Sequence, residues 1–116
     1  MNWNNLQSLE QLEEIDQLSE SQPVIIFKHS TRCSISAASL DRLERKWDDE
    51  EMQNCLPFFL DLIRHREVSN AIAKKYSMPH QSPQVLVIRQ GKCTFEASHF
   101  GINYQEVESE ANQQPA

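Results

Sequence analysis

Residues 24–44 read VIIFKHSTRCSISAASLDRLE. The run opens apolar and β-branched, from Val24 to Phe27, and passes through Lys28 and His29 into the polar Ser30-Thr31-Arg32. A short, nearly all-apolar run of this kind marks a strand covered on both faces. From Ser34 to Asp48 the period changes. Leu40, Leu43 and Trp47 recur at helical spacing as an inward stripe, while Asp41, Arg42, Glu44 and Arg45 face water. Between strand and helix stands one cysteine, Cys33, and the position three residues on is Ser36 rather than a second cysteine.

The neighbouring segments extend the pattern on both sides. Before the strand, Leu9, Leu12, Ile15 and Leu18 lie about one helical turn apart, and Ser8 with Gln11 fits a capping box. Trp3 to Leu6 reads as a short extended lead-in. Beyond the second helix, Met52 to Cys55 form a turn and PFFLDLIR is a second buried strand. EVSNAIAKKYSM is a third helix, with Val68, Ile72 and Tyr76 at four-residue spacing. QVLVIRQGKCTFEASH is a hairpin turning at Gln90-Gly91. Asn103 with Glu106 caps a final helix carrying Tyr104, Val107 and Ala111, and the residues after about 110 are expected to fray. Alternating strands and helices give parallel strands with crossover helices, and the closing hairpin adds an antiparallel pair. The expected architecture is one α/β domain over residues 1–116, a four-stranded mixed sheet with helices on both faces.

Composition narrows the function. A chain of 116 residues builds one real core without staples. A net charge of −6 removes any general electrostatic reason to bind nucleic acid. No apolar run approaches a membrane span, and the N-terminus lacks the basic start and apolar middle of a signal peptide. The expected location is therefore the cytoplasm, away from membranes. The three cysteines, Cys33, Cys55 and Cys93, are odd in number and widely spaced, which is no disulfide framework. The four histidines are scattered and no Cys/His pair has zinc-site spacing, so no metal site is expected.

Cys33 falls at the first turn of the second helix. Unpaired N–H groups and a partial positive charge gather there and stabilise a thiolate. Arg32 and Lys28 are close in sequence and add positive charge if they point that way. The Ser36 hydroxyl, one turn along, can donate a hydrogen bond to the thiolate. It cannot attack a mixed disulfide as a second cysteine would. A Cys-x-x-Ser site thus favours one-thiol chemistry, in which the cysteine accepts a thiol group and waits for an outside thiol. The bland alternative is a small buried hydrophobe, against which the polar flank Ser30, Thr31, Arg32 and Ser34 argues. A second signal is Pro83, directly before a hairpin strand. It suits a turn or a cis bond, which would leave the Ser82 backbone free for an extended thiol ligand; from the residues alone an ordinary strand-opening proline is the favoured reading. Cys55 and Cys93 read as packing residues, with resolution of a mixed disulfide as the alternative. His29 and His80 could lie near the site from either side, with strand-end and loop residues as the favoured reading.

Together these residues resemble the thioredoxin superfamily. More closely, IFKHSTRCSIS followed by HQSPQVLVI is similar to the monothiol bacilliredoxins of the YtxJ-like family, over about Pro23 to Gly101. The resemblance implies a thioredoxin-like fold and a thiol–disulfide oxidoreductase that removes bacillithiol from protein mixed disulfides. It implies Cys33 as nucleophile, Ser36 in place of a resolving cysteine, and Pro83 as a cis-proline with Ser82 offering backbone contacts. Arg32, Ser34 and Lys28 would line the substrate side, since the malate carboxylates of bacillithiol favour a cationic rim. No organic cofactor is implied; bacillithiol serves as thiol cosubstrate, and the partners are bacillithiolated client proteins. One departure stands out: the family usually carries proline after the cysteine, and here it is Ser34. Two other readings remain. One is an interaction module that kept the fold and lost the chemistry. The other is a thiol-ligated iron–sulfur carrier, whose usual Cys-Gly-Phe-Ser site Ser34 and Ile35 do not match.

Overall fold

The computed structural model describes residues 1–113. In chain order the elements are β1 (Asn4–Asn5), α1 (Glu10–Leu18), β2 (Val24–His29), α2 (Ser34–Lys46), β3 (Leu56–Asp61), α3 (Arg66–Lys75), β4 (Gln84–Arg89), β5 (Lys92–Ser98) and α4 (Tyr104–Ala111). A 3-10 turn, His99–Gly101, separates β5 from α4.

One mixed sheet runs in the order β1-β3-β2-β4-β5. β1, β3 and β2 are parallel, and β4 and β5 are antiparallel to their neighbours. The sheet has five strands where the sequence suggests four. The extra one is the lead-in at Trp3–Leu6, whose two strand residues pair with Phe58 and Phe59. Too short to show an alternating pattern, it is held by the Leu6 N–H to the Phe59 carbonyl at 2.9 Å and by Asn4 Nδ2 to the Pro57 carbonyl at 3.1 Å.

Strand alternation sorts the core into two layers. On one face Val24, Ile26, Leu86 and Ile88 pack with α1 and α3 through Leu12, Ile15, Val68 and Ile72. On the other, Ile25, Phe27, Val85 and Val87 pack with α2 and α4 through Leu43, Tyr104 and Val107. All six residues of β2 are buried, as the apolar opening of that run implies for a central strand.

The ends of the elements follow local chemistry. The hairpin turns on Gln90 (φ +52°) and Gly91 (φ +74°), the pair of left-handed residues that a two-residue loop requires. Asn103 Oδ1 accepts the Gln105 and Glu106 N–H groups at 2.9 and 3.2 Å and starts α4. At α1 only half the expected box forms: Gln11 Oε1 accepts the Ser8 N–H at 3.1 Å, while the Ser8 hydroxyl reaches no backbone N–H of the helix. α2 stops at Lys46, two residues short of the expected end, where Trp47 turns extended. α4 runs through a buried Ala111, past the point where fraying is expected; the last three residues lie outside those described.

Candidate active site

β2 delivers its C-terminal end to the start of α2 through a tight turn. The Cys33 N–H donates to the Ser30 carbonyl at 3.2 Å across Thr31 and Arg32, and the Arg32 N–H leans on Ser30 Oγ at 3.4 Å. Cys33 is then the N-cap of α2, extended at φ −122° and ψ 118°, and its carbonyl accepts the Ala37 N–H at 3.1 Å. The N–H groups of Ser34, Ile35 and Ser36 therefore lie in the unpaired first turn, close to the sulfur. The side chain is half-buried and its thiol free. The helix carries no acid in this turn and ends with Arg45 and Lys46, so its charges run with the dipole.

β4 brings the second half of the site. Lys28 pairs with Gln84 at the last antiparallel position. Ser82 and Pro83 directly precede Gln84 and His29 and Ser30 directly follow Lys28, so both segments lie at this end of the sheet. The Ser82–Pro83 bond is cis. Ser82 makes no backbone hydrogen bond among the described residues, and its buried Oγ has no partner either. Pro83 is held from behind, since its carbonyl accepts the His99 N–H at 3.0 Å. The His99 carbonyl in turn accepts the Ser39 hydroxyl of α2 at 3.2 Å. His99 takes this double tie with φ +54°, in the left-handed region that histidine visits more readily than most non-glycine residues. The 3-10 turn thus fastens the proline segment to the cysteine helix. Its Phe100 stands 74% exposed, and Ile35 also reaches solvent.

The residues singled out from sequence separate here. Cys33, Arg32, Ser34, Ser82 and Pro83 lie at one end of the sheet, with Arg32 and Ser34 exposed. Lys28 does not join an exposed rim. It shares the α3 face with Ile26 and is fully buried; its Nζ donates to the Ser69 carbonyl at 3.1 Å and meets His80 Nδ1 at 3.4 Å. Burial pushes its pKa down to about 8. Burial, then Lys28 and Arg66, also lower that of His80, the loop residue beside it.

Ser36 is on the inner stripe of α2 with Ser39 and Leu43 and is fully buried. Its hydroxyl does not bond the Cys33 sulfur. It accepts the Ser30 N–H at 3.0 Å and lies 2.7 Å from His29 Nδ1. His29, which the sequence favours as a strand-end residue over one near the site, lies beside the helix start. Its ring packs on Phe59 at 5.5 Å and Phe27 at 6.4 Å. Burial holds its pKa below the ordinary value, while the charges of Asp61 and Glu44 pull the other way. A signal existed: Ile25, Phe27 and His29 share one strand face, and Ser36, Ser39 and Leu43 share the helix stripe that covers it.

The remaining cysteines sit in the packing layers. Cys55 is buried in the α2/α4 layer, where burial pushes its thiol up to about 11. Cys93 is half-buried against the α1/α3 layer, and burial raises its thiol as well. Among the described residues, no three His, Cys, Asp or Glu side chains converge as around a metal ion, and no helix is long and apolar enough to cross a membrane.

A family model described as monothiol bacilliredoxin BrxC matches residues 4–107. Among solved structures the chain is similar to a protein described as an oxidoreductase with a thioredoxin fold, at 27% identity and a TM-score of 0.74, over 91% of this chain and 90% of the other. The thioredoxin Mala s 13 of Malassezia sympodialis superposes with a TM-score of 0.74 at 12% identity, over 97% and 90%. The thioredoxin of Fasciola hepatica does so with a TM-score of 0.70 at 17% identity, over 97% and 99%. The last two likenesses concern the fold alone. With a cysteine capping the helix after β2, a thioredoxin fold around it and a family match over nearly the whole length, the chain belongs to the monothiol bacilliredoxin BrxC family and is a redox enzyme of the thioredoxin-fold kind.

Proposed function

We infer that the protein is a one-thiol disulfide reductase that takes bacillithiol from client proteins. The observation that carries the reading is Cys33 itself: a half-exposed thiol at the N-cap of a thirteen-residue helix, with serine where a resolving cysteine would stand. The Cys33 thiolate attacks the bacillithiol sulfur of a client's mixed disulfide. One S–S bond forms on Cys33, the bond to the client breaks, and the client leaves as a thiolate that takes a proton from water. A second bacillithiol thiolate then attacks the Cys33 mixed disulfide, leaves with the first as a symmetrical disulfide, and restores the Cys33 thiolate. No net electrons pass to Cys33 over the cycle, so the small thiol is the reductant. Arg32 and Ser34, exposed beside the sulfur, and the unpaired Ser82 backbone are the groups available to the incoming ligand.

Intact-mass spectrometry tests this on wild type and Cys33→Ala, after each meets a bacillithiolated and a glutathionylated protein. The expected outcome is one bacillithiol mass on wild type only, with the client reduced. Equal transfer from glutathione would keep the reaction and remove the named thiol. No transfer from either, above the titration range of the thiol, would leave a fold that serves as an interaction module.

A further inference from the structure

His80 is an exposed residue held as buried ones are. Its loop is bracketed by the fully buried Gln84, whose Nε2 donates to the Pro79 carbonyl at 3.1 Å and whose Oε1 accepts the Gln81 N–H at 3.4 Å. Its ring is fixed from behind, where Lys28 Nζ lies 3.4 Å and Ser69 Oγ 3.3 Å from Nδ1. An ammonium has no lone pair, so Nδ1 is the acceptor and the ring proton sits on Nε2. Burial, with the charges of Lys28 and Arg66, favours this neutral ring. Nε2 has no partner among the described residues and is left to meet solvent or a ligand. The charge around it is one-sided. Lys28 has a carbonyl and an imidazole for partners, and Arg66, exposed in the first turn of α3, makes no ion pair among the described residues. The Glu96 carboxylate, on the same sheet face as Lys28, is taken by Gln84 Nε2 at 2.7 Å. An amine buried without a carboxylate destabilises the fold. What it provides here is a surface N–H polarised by a full positive charge behind it.

We propose that His80 and Arg66 form a carboxylate-binding site, with Lys28 as a positioning residue that acts through the imidazole. His80 Nε2–H and the Arg66 guanidinium meet the anion; Lys28 and Ser69 hold the ring in the donating tautomer. The ligand is the carboxylate of the small thiol that Cys33 takes up, so the proposal rests on the one-thiol reading above. The loop gives the path. His80 stands two residues before Ser82, about 7 Å along an extended chain, and Ser82 leaves its backbone open. A thiol laid along Ser82 from Cys33 brings its far end to the ring. An imidazole N–H backed by an ammonium favours an anionic acceptor over a neutral one, so the site selects thiols that carry a carboxylate.

The test compares transfer from one client protein capped in turn with bacillithiol, glutathione and cysteamine, the last of which has no carboxylate. Wild type is set against His80→Ala, Arg66→Ala and Lys28→Met. In each variant the preference for the carboxylate-bearing caps over cysteamine is expected to fall about tenfold, through a higher half-saturating concentration rather than a lower maximal rate. A preference that survives in His80→Ala, or a wild type without one, would overturn the proposal. The second measurement is made on Cys33→Ser, where no exchange with the sulfur can occur. The ¹⁵N signals of the His80 ring should carry the Nε2–H signature, and they should move when oxidised bacillithiol is added but not when cystamine is. A ring protonated on Nδ1, or one indifferent to oxidised bacillithiol, would also overturn it. The two readings fail separately. A responsive ring with no transfer from any cap would strike the reductase and keep the site, whereas transfer beside an indifferent ring would strike the site and keep the reductase.

Discussion

At the residue scale, the position of Cys33 is legible because three independent signals coincide on it: a strand end, a polar turn and a helix start. Ser36 is legible one turn along the same helix, but its partner is not. Spacing along one chain reports which residues share a helix, whereas the His29–Ser36 contact joins a strand to the helix that covers it. Lys28 was misread for a related reason. The apolar run announces a strand buried on both faces, and that burial continues into Lys28, which alternation turns toward α3. A cysteine in place of Ser36 would stand beside His29, on the same first turn as Cys33. Ser36→Cys is expected to close an internal disulfide on oxidation, seen as the loss of a pair of hydrogens by intact mass and of free thiol at the Cys33 peptide. A variant that stays fully reduced would mean that these side chains do not face each other.

At the scale of elements, capping and turn chemistry were the readable part. The Gln90-Gly91 hairpin and the Asn103 cap formed as their residues imply, because both depend on backbone preferences carried by a few adjacent positions. The 3-10 turn His99–Gly101 was not foreseen. Its left-handed His99 is held by Pro83 and Ser39, contacts distant in sequence that leave no local pattern. Asn103→Ala removes an oxygen that serves two N–H groups at the start of α4, whose Tyr104 and Val107 are core residues. The expected loss is about 1 kcal/mol in urea unfolding, with the slope unchanged. An unchanged midpoint would show that the preceding turn holds the helix start without the cap.

At the scale of the molecule, the mixed sheet with helices on both faces followed from the alternation of strands and helices, while the fifth strand did not, since two residues show no period. The whole fold also bears the cost of a buried amine without a carboxylate partner. Lys28 titrates near 8 in the folded chain against its ordinary 10.5, so between these values the unfolded chain holds more protons. Wild-type stability attributable to this group therefore rises with pH through that window, and the penalty is complete below about pH 8. Lys28→Met is expected to be more stable than wild type at pH 7 by about 1–3 kcal/mol, the gap narrowing by pH 10. Paired urea titrations at the two pH values measure it. A gap of equal size at both would mean that Lys28 is not the titrating group.

The two residues of β1 have a consequence out of proportion to their length. Without them, β3 would be the outer strand of the sheet, and its sequence is Leu-Pro-Phe-Phe-Leu-Asp. An unpaired, phenylalanine-rich ladder is a growth face onto which other chains add, molecule upon molecule. Because Asn4, Asn5 and Leu6 belong to the same chain, they meet β3 at a local concentration that no neighbouring molecule matches. The asparagines turn a polar, poorly strand-forming border outward. This short segment thus works as a stopper over an edge that would otherwise stand open to pairing with other chains.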